Sequence, residues 1–311
     1  MSEQDPGRET ARAAYGASVE AVREAFRFGV EAAQSRLSEA AAGLLAALAA
    51  DEAALLLLSA RSTAGNHLYA HAANTAILAM HTAAGLGCPE DKRLALGLCA
   101  LTVDLRRAAA LARPLSQAEQ EQLLHPLDPG KIFEHSLELE KVVPEELRSL
   151  YRADLGTEEL AHAEKRREAH QGAHILAICD TYEAATHYRP WRAPILPRNA
   201  VLGLLGKHRR ESDQKLVKTF TERISIYPPG SYVQLSNMDI GQVLRVQPFA
   251  PSSPVVEIRA RADGSRQAPF YSVDLAKTQS SHVRQAVDET DDSIKDVALR
   301  VALQAERWWM L

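Results

Sequence analysis

The side chains best equipped for chemistry in this 311-residue chain are three cysteines, eleven histidines and one dense run of charge. Cys88, Cys99 and Cys179 are an odd set without paired spacing, and each sits in an apolar run. Such an arrangement offers neither a zinc site nor a disulfide framework; it reads as reduced thiols packed in a core, in a reducing cytosol. The charge run, Glu158, Glu159 and Glu164 to Glu168, is either a solvated helix face or, at Lys165-Arg166-Arg167, a basic contact for a phosphate or an acidic partner.

Those residues need a scaffold, and the composition supplies one. At 46% apolar the chain can bury a sizeable core. With 36 basic and 40 acidic residues its net charge is −4, which gives no global attraction to nucleic acid or to an anionic membrane, so neither is expected as a partner. The first ten residues are polar, without the apolar core of a signal peptide. The most apolar stretch, 40–60, is interrupted by Asp51 and Glu52, and a charged pair at mid-span is costly in a bilayer. A buried helix of a soluble, cytoplasmic protein is expected.

Up to about residue 223 apolar residues recur at three- and four-residue spacing, which predicts helices. Val19, Val22, Phe26 and Val30 fall on one face of the first, and Leu37 to Leu58 form a second apolar stretch. Asn66 to Leu86 predicts a third helix and Glu90 to Ala110 a fourth, with further helices at 126–138, 144–152, 157–187, 197–207 and 212–223. Tyr227-Pro228-Pro229-Gly230 is a strong turn signal. After it come short β-prone segments at 231–235, 240–246, 255–259 and 270–273, then a return to helix over 291–311. The apolar end, Trp308-Trp309-Met310-Leu311, either docks on the body or meets a partner.

Three stretches together resemble the HD-GYP family of metal-dependent phosphodiesterases that hydrolyse cyclic di-GMP. They are Tyr69-Ala70-His71 with the residues through Leu78, Gly97 to Arg107, and His174 to Arg192 with its Arg189-Pro190-Trp191-Arg192 corner. Gln122 to Pro126 with Gly130, and the run from Tyr227 to Ser236, extend the likeness to roughly residues 10 to 247. The resemblance implies a mainly α fold: an HD-domain helical bundle with a small C-terminal β appendage and a terminal helix. The corresponding segments are an N-terminal helical extension over 1–62, the HD-GYP-like domain over 63–224, the appendage over 225–280 and a helical tail over 281–311.

Hydrolysis of a phosphodiester near neutral pH needs water acidified by metal and cations to stabilise the phosphoryl oxygens. Projected from the family, the metal ligands retained here are His71, Asp104, His125 and Asp180. The His of the His-Asp pair is Val103, whose side chain has no lone pair, and the nearby Lys is Arg107. The later His-His pair falls on Tyr151 and Arg152, and the Gly-Tyr-Pro loop on Glu159, Leu160 and Ala161. The resemblance thus implies vestigial or candidate metal positions at His71, Asp104, His125 and Asp180, and candidate phosphate or nucleotide contacts at Arg107, Arg152, Arg189 and Arg192. His67, His81, His135, His162, His170, His174 and His187 match no ligand position.

The expectation that follows is a degenerate, non-catalytic regulatory or scaffold protein in bacterial cyclic-dinucleotide signalling. It would hold no cofactor, with a signalling protein as partner and cyclic di-GMP as a candidate ligand. The alternative is a phosphodiesterase or phosphohydrolase acting on cyclic di-GMP with a reduced ligand set, its metal then being Mn or Fe.

Overall fold

The computed structural model describes residues 6–60, 67–102, 105, 158–187, 193–207, 211–247, 250–278, 280–289, 291 and 294–307. Among them are eight helices and one five-stranded sheet, mainly α with a small C-terminal β portion and a terminal helix, as the sequence predicts. The chain forms two compact units, Met1–Asp51 with Leu68–Ala184, and Glu52–His67 with Ala185–Leu311.

In the first unit, α1 (Pro6–Phe28) buries Ala11, Tyr15, Ser18 and Val22, the stripe of an amphipathic helix. Gly29 then adopts φ 90°, a conformation that only glycine takes without strain, and α2 (Val30–Ser59) begins. Val30 therefore belongs to the second helix and not to the face that carries Val19 and Val22. α2 is, among the described residues, the one helix whose length and composition would suffice to cross a membrane. Half of its most apolar window is buried inside the protein. Asp51, at φ −152° and ψ 85°, interrupts it where the first segment of the first unit ends.

α3 (His67–Gly85) is buried at every position from Ala70 to Ala83. A helix enclosed on all sides has no solvated face, so the polar groups it carries must find partners inside. α4 (Glu90–Thr102) packs close: a Cβ on Gly97 would lie 2.2 Å from Met80 Cε. α5 (Glu158–Thr186) brings Ile175, Leu176 and Cys179 into the core. The helices expected at 126–138 and 144–152 lie outside the described residues.

The second unit contains α6 (Pro197–Lys207), α7 (Glu211–Ile224), strands β1 (Tyr232–Leu235), β2 (Ile240–Arg245), β3 (Val255–Ala260), β4 (Arg266–Asp274) and β5 (Val283–Val287), and α8 (Val297–Arg307). The sheet is antiparallel throughout, in the order β4-β3-β2-β1-β5. Alternation along the strands separates two buried clusters. Val233, Leu235, Val243, Val256 and Ile258 form one, and Tyr232, Ile240, Ala260 and Val287 form the other with Leu299 and Leu303 of α8. Asp296 accepts from the Leu299 amide at 3.0 Å and caps that helix.

The two edge strands depart from the sequence expectation. β4 begins at Arg266, four residues before the predicted start, because Pro269 is tolerated on an edge, where its missing N–H costs no ladder bond. β5 was not expected at all: Arg284 and Gln285 are exposed, so the segment shows little of the apolar signal of an inner strand.

Candidate functional site

His71 and Asn74 stand one turn apart on α3, and Asp180 and Glu183 one turn apart on α5. Residues spaced by three share a helix face, so each helix presents one pair to the other. His71 Nε2 lies 2.8 Å from Asp180 Oδ1. The other ring nitrogen, Nδ1, is hydrogen-bonded to Glu183 Oε2. Glu183 Oε1 accepts from Asn74 Nδ2 at 3.0 Å, and Asn74 Oδ1 accepts from the Tyr15 hydroxyl of α1 at 2.9 Å. All five residues are buried, Glu183 and Asn74 completely.

The electrostatics of this cluster are tightly constrained. A carboxylate at each ring nitrogen means that each nitrogen faces an acceptor, and a neutral ring carries only one proton. With that proton on Nδ1, a neutral ring would aim the Nε2 lone pair at a carboxylate oxygen 2.8 Å away, and two lone pairs repel at that distance. In that tautomer a proton or a cation lies between Nε2 and Oδ1. Beside Asp180, burial and the neighbouring negative charge push the Cys179 thiol far above its ordinary range, while a hydrogen bond with Thr82 acts the other way. Cys179 is thus a packed, inert thiol.

Of the candidate ligands, His71 and Asp180 come together, and Asp104 and His125 lie outside the described residues. Arg107, Arg152, Arg189 and Arg192 lie outside them too, as do the side chains of His162, His170 and Lys165-Arg166-Arg167. His187 is occupied in packing: its Nε2 is 2.9 Å from the Ser59 carbonyl and its Nδ1 3.1 Å from the Thr186 hydroxyl. His81 is buried and His174 half-buried.

Sequence reasoning missed Tyr15, Asn74 and Glu183. The matching three-residue spacings, His71 to Asn74 and Asp180 to Glu183, were a usable signal for the last two. Tyr15 lies 59 residues from its partner and had none.

As a metal centre, the described part is incomplete. Among the described residues no group of three or more His, Cys, Asp or Glu could hold an ion. His71 Nε2 and Asp180 Oδ1 are two ligand atoms, with Glu183 on the far side of the ring.

The C-terminal sheet supplies the link to known proteins. Residues 232–295, from the start of β1 to just before α8, are similar to the family described as a KOW domain associated with HD domain. The match points to an HD-domain-associated protein. No curated protein and no solved structure matches the chain.

Proposed function

We propose that this chain is a degenerate HD-GYP-like module that acts by binding, as a regulatory or scaffold protein in bacterial cyclic-dinucleotide signalling. In this reading 63–224 form the HD-type body and 225–280 a β appendage. The observation that carries it is the closure of the His71 centre on protein groups. Both ring nitrogens meet carboxylates, and both Glu183 oxygens are engaged, by His71 and Asn74. A single proton between Nε2 and Asp180 completes this arrangement without any cation. The loss of a donor at Val103 removes the chemical reason for a metal to displace that proton. The similarity of 232–295 to an HD-associated domain supports the HD-type reading of the body.

One observation favours the alternative, a phosphodiesterase with a reduced ligand set. Adjacent ligands of an octahedral ion with bonds of about 2.1 Å stand about 3 Å apart, and His71 Nε2 to Asp180 Oδ1 is 2.8 Å. With Asp104 and His125 added, His71 and Asp180 would be the residues to hold such an ion, which would supply an acidified water.

Hydrolysis separates the two. Full-length protein incubated with cyclic di-GMP and Mn(II) or Fe(II), with products resolved by chromatography, is expected to leave the dinucleotide intact. Conversion to the linear product that disappears in Asp180→Ala would sink the binding-module reading.

A further inference from the structure

We infer that Tyr15 is a positioning residue for the His71–Asp180 pair, acting through Asn74 and Glu183, so that helix α1 is part of the centre rather than an appendage to it. The inference rests on the reading of this pair as a centre closed on protein groups, and it deepens that reading.

The hydrogen bonds from Tyr15 to Asp180 form one connected chain. The Tyr15 hydroxyl donates to Asn74 Oδ1 at 2.9 Å and holds the Asn74 amide in place from the side away from Glu183. The Glu183 carboxylate, which only accepts, requires the amide NH₂ on its side, and the hydroxyl anchors the amide oxygen that this leaves on the other. With the amide fixed, Asn74 Nδ2 donates to Glu183 Oε1 at 3.0 Å, which leaves Oε2 for His71 Nδ1. That last bond sets the tautomer and plane of the ring, and hence what Nε2 presents to Asp180 2.8 Å away.

Burial makes the chain consequential. Tyr15 is 1% exposed and Asn74 and Glu183 are at 0%, so bulk water cannot readily replace a lost link. Each donor also polarises the next: a carbonyl that accepts from a hydroxyl leaves its amide N–H a better donor. Packing alone would need only the Tyr15 ring. The hydroxyl adds a constraint that ends at the imidazole.

The test is nuclear magnetic resonance of the full-length chain with ¹⁵N-labelled histidine, the His71 signals being assigned by their loss in His71→Gln. In the wild type the His71 Nδ1 proton should be protected from exchange with solvent. Tyr15→Phe keeps the ring and removes only the hydroxyl; it should displace the His71 Nδ1 and Nε2 resonances and speed exchange of that proton. Asn74→Ala should do the same more strongly. In both, the signals of the buried His81 and His187 should stay in place.

His71 resonances that coincide with wild type in both folded variants would overturn the inference. So would a displacement shared equally by His81 and His187, which would report general loosening rather than a directed link. Either failure is distinct from failure of the functional reading, which is judged on the unmodified protein by hydrolysis.

Discussion

Replacing Glu183 with Ala is expected to bring the first unit close to unfolding. The carboxylate is fully buried and holds two groups at once, His71 Nδ1 through Oε2 and Asn74 Nδ2 through Oε1. Truncation removes both acceptors, strands two donors inside the protein and opens a cavity among packed helices. Breaking a buried charged pair by deleting one partner costs about 3–5 kcal/mol, against a total stability of about 5–15 kcal/mol for a typical domain. Glu183→Gln should lose less, since the volume stays filled, yet its NH₂ must face either His71 or Asn74, both of which donate. Because the chain has two compact units, hydrogen exchange of amides in α3 and α5 is a better readout than one melting curve. Wild-type-like protection in Glu183→Ala would show that the chain from Tyr15 to Asp180 contributes little.

The second large effect lies in the other unit. Gly241 sits in β2 with register shifts on either side of the segment it begins, and it pairs with Ile258 of β3. A Cβ added there would lie 2.3 Å from Val256 Cγ1 and 2.8 Å from the Glu257 carbonyl oxygen. The valine methyl could turn aside; the carbonyl belongs to the backbone of β3 and cannot retreat without disturbing the ladder. Overpacking of this kind costs about 1–3 kcal/mol and occasionally more. Gly241→Val should therefore destabilise the sheet beyond Gly241→Ala, with protection lost first at β2 and β3 amides. An unchanged exchange pattern in both variants would mean that β3 can shift freely. Gly97 makes a useful contrast: its obstructing atom is the far end of the flexible Met80 side chain, so Gly97→Ala should be the milder change.

These two sites also show what could be read from the sequence. The helices are long and periodic, and His71 and Asp180 fall within two of them, α3 and α5. The inner strands β1, β2 and β3 announce themselves through Val, Ile and Leu. The edges do not, because Pro269 in β4 and Arg284 and Gln285 in β5 are chosen for a solvent-facing role. At the centre, His71 and Asp180 were accessible through the family resemblance, which names groups that touch substrate or metal. Glu183, Asn74 and Tyr15 act on His71 directly or at one remove, and only the packing of α1, α3 and α5 reveals that relation. Gly29 belongs to the same class: a single left-handed residue divides what the apolar spacing reads as one continuous face.

In the function we propose, a proton and not a metal ion joins His71 to Asp180. Elemental mass spectrometry tests it most directly, on protein purified without chelator, incubated with Mn(II) or Fe(II) and freed of excess ion. The account predicts well under one metal per chain, and the same residual level in Asp180→Ala. Near-stoichiometric metal in the wild type that is lost in Asp180→Ala would contradict it, and would give the phosphodiesterase alternative its activated water.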